Sequence, residues 1–497
     1  MKQTMQPLDW VVIGVYGLGM LAIGWYFSRR TKTSEDYMLG GRQMRFWMVG
    51  LSLFASLFSA ASYLATPGEI IKYGPMIRCG IAAHPFTYLV VGWLLIPAFM
   101  KLKISSAYEL LEVRLGPSLR VLASILFLIL RLFWMSLIIY ICAVKVIVPI
   151  MGWSQEAALW VSIAMGVVTV IYTSVGGLRA VVLTDVIQSF ILFSAAIVSM
   201  ILIGKMLGGV GTWFSQDWPQ TWVEWKFFDA NARASFLTAV LSSFCWYVFT
   251  AGSDQMAIQR YLATRDVKSA RRALLTTLIF DALVGIILVG LGFALFAYYQ
   301  ASPELVPAGE TMRDADSLFP RFIVTVLPTG ITGLAIAGLL AAAMSSLSSG
   351  VNSSCLAISA DFIGRFGKRQ LSESAQVKLA KVISFAIGVI VVVLSLMVGK
   401  VKGNLMALCY KIANLLVAPL FVPFFMAVFV RRATEVGTFI GTIVSIIVAV
   451  LVAFSGELFD INITFLWIMP ISFATGVVVS FLISLIFPRG NNKQKAV

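Results

Sequence analysis

"FSAASYLATPGEI", residues 58–70, interrupts a segment whose first half, "FWMVGLSLFASL" at 46–57, is fit for lipid. Ser, Thr, Pro and Gly gathered inside an apolar span mark a place where a helix breaks. Non-helical backbone at membrane depth is tolerated only where it is buried in protein or lines a cavity. A second such segment lies five spans further on, where "FTAGSDQ" at 249–255 punctuates an apolar run over 233–258. Two interrupted spans in corresponding positions of two halves point to a midplane site between inverted repeats. The halves share no visible sequence similarity, so the repeat is inferred from the two breaks alone.

Composition names the solvent. The chain of 497 residues is 59% hydrophobic and only 12% charged, with a mean hydropathy of +0.91, too apolar for one soluble core. Runs of about 20 apolar residues, enough to cross a hydrocarbon layer of about 30 Å, recur from end to end. Thirteen are expected, over 9–28, 46–66, 77–100, 119–149, 155–176, 182–208, 233–258, 272–299, 330–361, 377–400, 404–430, 434–455 and 463–487. The fold class is therefore an all-α integral membrane protein.

The leading flank "MKQTMQPLDW" is nearly uncharged and the basic "RRTK" follows the first span, which is the reverse of a cleavable signal. With loops assigned to alternate sides, about 25 Lys and Arg fall on the side of "SRRTK", "MKLK", "RDVKSARR" and "GRFGKR", against about 8 on the other. That bias puts the N-terminus outside and the C-terminus inside, and it accounts for most of the formal charge of +15. A nucleic-acid partner would want a soluble module with clustered basic and aromatic residues, and none is present. The five cysteines sit in apolar spans without CxxC spacing, which argues against a disulfide framework or a zinc site. The longer outer loops, 209–232 with four Trp and 300–329, read as interfacial caps.

The segment "AAAMSSLSSGVNSS", 341–354, carries six serines and an asparagine in an otherwise apolar span. Ala342, Ser345, Ser346 and Ser349 form one helical stripe, with Ser348 and Asn352 beside it. Packing is the plain alternative, since small residues let membrane helices approach and Ser hydroxyls bond the preceding turn. Hydroxyl and carbonyl oxygens are also what a small hard cation wants, with one carboxylate nearby to offset its charge. Asp185 in "GGLRAVVLTDVIQ" is the candidate acid, with a helix-end position favoured by the dipole as its structural alternative.

Six motifs in order, "DYMLGGRQMRFW", "FASLFSAASYLATPGEI", "SSAYELLEVRLG", "GGLRAVVLTDVIQ", "SDQMAIQRYLATRDVKSARRA" and "AAAMSSLSSGVNS", resemble those of the sodium:solute symporter family. The resemblance covers nearly the whole chain. It implies the LeuT-type fold of five plus five inverted helices and import of a small-molecule solute coupled to one or two Na⁺. Residues 1–45 would form a leading helix and cytoplasmic loop, 46–208 the first repeat, 209–232 an outer loop, 233–432 the second repeat and 433–497 two trailing helices with a tail. The shared sodium site it implies uses the carbonyls of Ala55, Phe58 and Ala342 with the hydroxyls of Ser345 and Ser346. A second site, present in some members, would use Asp185, Ser345, Ser348 and Ser349.

For the solute, the resemblance places a pocket beside the first break, with Ser59, Ser62, Arg78, Arg131, Tyr410 and Lys411 as the residues to test. Sugar-binding members carry an aromatic pair and a Lys where this chain has Thr250, Ala251 and Asp281, which favours a small organic anion, a monocarboxylate or an acidic sugar. A neutral sugar or polyol is the alternative. Arg131 and Lys411 lie deep in apolar spans, where a cation marks function by default or pairs with Asp254 or Asp281. His84, the only histidine, reads as a packing residue, a ligand or a proton site. A membrane-embedded enzyme would need an oriented nucleophile and base, and His84 with the serine stripe lacks an orienting third group. Short loops and tail fit a bacterial inner membrane, and nothing in the chain specifies an oligomer.

Overall fold

The computed structural model describes residues 5–102, 104–214, 218–306, 312–366, 372–397, 405–461 and 463–488. Among them the chain is helical throughout, with no strand. We label the principal helices α1 (Pro7–Ser28), α2 (Phe46–Leu57), α3 (Ala60–Tyr73), α4 (Met76–Lys101), α5 (Pro117–Val144), α6 (Ala157–Leu207), α7 (Phe236–Ser253), α8 (Gln255–Leu262), α9 (Val267–Ala301), α10 (Ile331–Ile363), α11 (Glu373–Met397), α12 (Leu405–Phe429), α13 (Glu435–Ala453) and α14 (Phe465–Ile486). Ten helices are long and apolar enough to cross a membrane, or eleven if α2 and the helix after its break count as one.

Both expected breaks are present. α2 ends at Leu57, and Phe58 (φ −97°, ψ 109°) and Ser59 (φ −99°, ψ 166°) are extended before α3 begins. The two halves of the span meet at 60°. Between α7 and α8 a single extended residue, Asp254 (φ −80°, ψ 124°), makes the break, and its side chain caps α8 by accepting from the Met256 N–H at 2.9 Å. Each cap, Ser59 on Ser62 N and Asp254 on Met256 N, answers amide groups that a helix start leaves without partners.

The expected turn at 177–181 is compressed into one residue. Residues 157–207 are two helices that meet at a kink at Gly177 (φ 64°, ψ −164°). A Cβ there would stand 2.7 Å from the Tyr37 carbonyl oxygen, and the positive φ is strained for any side chain. A glycine thus makes the turn that hydropathy places over 177–181.

α10 is the centre of the bundle: 83% of its apolar window is buried, against 17% for the lipid-facing α1. It packs on α6, α2 and α5, and the serine stripe is the reason it can, since every residue from Ala341 to Ala357 is buried. α1 is nonetheless pinned to it, because buried Asp9 accepts from Gly330 N at 2.6 Å and Gly333 N at 3.0 Å at the start of α10. Over 218–232, Trp218 and Trp222 stack on each other at 4.6 Å and pack against Phe293 and Phe296 of α9.

Candidate functional site

The break after α2 leaves carbonyls with no following helical turn to receive them. The stripe on α10 lies against those carbonyls. Ser345 Oγ is 3.0 Å from the Ala55 carbonyl oxygen and 3.1 Å from that of Ala342. Ser346 Oγ reaches the Ser56 carbonyl at 3.4 Å, and Phe58, in extended backbone, ends the helical ladder one turn beyond Ala55. Two carbonyl oxygens meet the Ser345 hydroxyl, whose single hydrogen can be given to only one of them at a time. That surplus of oxygen lone pairs is the donor set a hard monovalent cation takes.

One turn deeper the chemistry changes. Asp185 is wholly buried, and its Oδ2 accepts from Ser52 Oγ at 2.5 Å and from Arg260 Nη2 at 3.2 Å. Arg260 is equally buried, with further bonds to Ser52 Oγ at 3.0 Å, the Met256 carbonyl at 3.0 Å and Ser349 Oγ. Ser349 Oγ in turn lies 2.7 Å from Ser56 Oγ and 3.4 Å from Asp185 Oδ2. Asp185 Oδ1 has no hydrogen-bond partner among the described residues. Ser348 points back along its own helix to the Ser345 carbonyl at 3.0 Å. Of the expected second set, Asp185 and Ser349 meet, with a guanidinium beside them, while the hydroxyls of Ser345 and Ser348 are directed elsewhere. Arg260 escaped the sequence reading because it follows the broken span and counts there as a cytoplasmic positive charge.

Beside the break opens the principal cavity, about 990 Å³ when counted to its mouth. Phe58 and Ser62 form its floor, and Arg78, His84, Trp134, Trp246, Asp281 and Asn414 stand in its walls. Arg78 keeps two buried nitrogens, Nε and Nη2, without a hydrogen-bond partner among the described residues, and both atoms of the Asn414 amide and Ser242 Oγ are in the same condition. His84 Nε2 lies 3.3 Å from Asp281 Oδ2 and its ring meets Tyr247 edge-on at 4.9 Å. Asn414 was legible as an amide in an apolar span and was passed over for its neighbours.

The remaining expected solute residues fall elsewhere. Arg131 does not line the principal cavity; its Nη2 is bonded to Asp254 at the second break, both groups buried, and it borders a smaller void below Trp134 and Trp246. Lys411 is half-exposed, 3.4 Å from Glu457 and over the ring of Phe454. The side chain of Tyr410 lies outside the described residues. Ser59 is buried and spends its hydroxyl on the cap of α3, 3.3 Å from Ser62 Oγ. Glu69 of "TPGEI" is taken by a bidentate bond from Arg233, 2.8 Å on each side.

This geometry has close counterparts. A solved structure described as the substrate-bound outward-open state of a Na⁺-coupled sialic acid symporter superposes with a TM-score of 0.85 at 29% identity, covering 97% of this chain and 99% of that one. A nucleobase-cation-symport-1 family transporter shares the fold at 13% identity and a TM-score of 0.52, over 90% of this chain and 93% of its own. By sequence, the sodium/sialic acid symporter of Proteus mirabilis is 32% identical over 77% of this chain and 76% of its own length, and that of Aliivibrio fischeri 29% over 79% and 77%. The pattern of one family spans residues 37–445, from the loop after α1 into α13, and so takes in both breaks, the serine stripe and the cavity. The chain belongs to the sodium:solute symporter family.

Proposed function

We propose that this sodium-coupled symporter imports a small organic anion, an acidic sugar or a monocarboxylate, held in the principal cavity by Arg78 with Ser62 at the break. The observation that carries the reading is the pair of buried Arg78 nitrogens that nothing in the cavity satisfies. Asp281 offsets part of the Arg78 charge across the cavity but gives it no hydrogen bond, and an entering carboxylate would supply the bonds that Nε and Nη2 lack. The sialic acid symporters among its relatives handle an acidic sugar, which supports the same class. Arg78→Gln should lower solute affinity about tenfold or more, the scale of a charge-assisted hydrogen bond, with sodium affinity nearly unchanged. Competition in proteoliposomes checks it. Displacement by glucose, galactose or inositol, with acetate, lactate, pyruvate and sialic acid all inert, would establish the neutral-solute alternative.

The finer architecture follows the same reading. Splitting α6 at Gly177 and counting α12 gives thirteen spans, with the N-terminus outside, in a bacterial inner membrane. Residues 46–208 and 233–432 would then be inverted repeats, each opened by a broken helix at Phe58 or Asp254. The cavity, whose lining includes Thr66, Ile77 and Leu466, would open outward. Sodium between the Ala55 and Ala342 carbonyls and the Ser345 and Ser346 hydroxyls would tie α2 to α10 and favour the state with high solute affinity, and the linkage is reciprocal. Ser345→Ala removes the oxygen shared by two carbonyls and should raise the sodium concentration for half-maximal uptake about tenfold, whereas Ser346→Ala, at a 3.4 Å contact, should raise it less. Unchanged sodium dependence in both would leave the stripe as packing alone.

A further inference from the structure

Arg78 does not stand alone in its cavity. Its Nη2 lies 2.5 Å from where a Cβ on Gly285 would be, so the guanidinium rests against the backbone of α9. Gly285 is one helical turn from Asp281, which places the arginine and the aspartate on one face of α9, both lining the same cavity. Asp281 faces His84 from α4 at 3.3 Å and leaves 14% of its side-chain surface open. A carboxylate has about four lone-pair positions, and His84 and Tyr247 take up two of them at most, so acceptor capacity remains toward the cavity. Across from it, Ser242 Oγ and the Asn414 amide also await partners.

The wall therefore carries a positive fork at one point and a strong acceptor one turn away. We infer that the solute bears, besides the carboxylate that meets Arg78, at least one hydrogen-bond donor, a hydroxyl or an ammonium, that docks on Asp281. Hydroxy acids, acidic sugars and amino acids fit this description, and unsubstituted monocarboxylates do not. The inference rests on the anion reading above and sharpens it. An alkyl tail pressed on Asp281, Ser242 and Asn414 would strip water from them and return no hydrogen bond. A site built to bond a donor rejects the analogue without it far more strongly than an apolar site rejects an extra methylene. His84, 3.3 Å from Asp281 in the same wall, then has a positioning role toward that carboxylate.

Matched pairs of competitors test this on the wild-type protein, in sodium-driven uptake by proteoliposomes: lactate against propionate, 3-aminopropionate against butyrate, glucuronate against glucose. The donor-bearing acid of the first two pairs should compete at least about tenfold better than its plain partner. Lactate winning alone identifies a hydroxyl, and 3-aminopropionate winning alone an ammonium; either supports the assignment. Glucuronate should beat glucose, because Arg78 demands the carboxylate. Asp281→Asn should bring lactate and propionate within about threefold of each other, and His84→Ala should weaken the preference without abolishing it. Plain and substituted acids competing equally in the wild type would overturn the inference while leaving the anion reading intact. Glucose matching glucuronate would defeat the anion reading itself. The wild-type comparison decides even if Asp281→Asn fails to fold.

Discussion

Asp185→Asn, the conservative way to ask whether this acid holds a second sodium, is expected to destabilise the protein by about 3–5 kcal/mol before it reports on sodium at all. The reason is Arg260. Both groups are fully buried, and the substitution removes the charge paired with the guanidinium while leaving Ser52, Ser349 and the Met256 carbonyl to solvate it. The double variant Asp185→Asn/Arg260→Met, which removes both charges at similar volume, should recover most of the loss. Thermal unfolding of the purified protein measures this. Equal unfolding temperatures for wild type and Asp185→Asn would sink the pair as a structural element. The informative variant for sodium is Arg260→Gln. It frees Asp185, whose Oδ1 is already without a partner, and a lone buried carboxylate gains most from a cation. Its unfolding temperature should rise more steeply with Na⁺ than that of the wild type, while K⁺ or choline has no such effect.

Much of the geometry where α10 meets the first break was legible because it is local. The stripe of Ala342, Ser345, Ser346 and Ser349 follows from helical periodicity, and the break at Phe58 from the Ser, Thr, Pro and Gly content of 58–70. Pairing between helices was not legible. Asp281 was weighed as a counter-charge for Arg131 or Lys411, yet it meets His84, while Asp254 takes Arg131 and Glu457 takes Lys411. Which of several acids meets a given cation depends on helix rotation and tilt, set by packing around α10 rather than by any one span. Arg78 was legible as a solute candidate near the outer end of its span, but its rest against Gly285 of α9 was not.

Arg131→Gln is the second substitution with a large expected effect, and it separates a structural cation from a solute-binding one. The Arg131 to Asp254 pair is buried at the break between α7 and α8, where Asp254 also caps α8 through Met256 N. Removing the guanidinium leaves the carboxylate with the cap bond and little else, at a cost of about 3–5 kcal/mol. Asn serves as well as Asp at an N-cap, so Arg131→Gln/Asp254→Asn keeps the cap, leaves no stranded charge and should regain most of the stability. The double variant is then the right background for binding. With Arg78 holding the carboxylate, its solute affinity should stay within about threefold of wild type, less than one charge-assisted hydrogen bond is worth. A double variant as stable as wild type that still binds solute tenfold or more weakly, with sodium affinity preserved, would return Arg131 to the solute path. The small void that Arg131 borders beneath Trp134 and Trp246 would then be a second station for the anion, reached once Asp254 lets the guanidinium go.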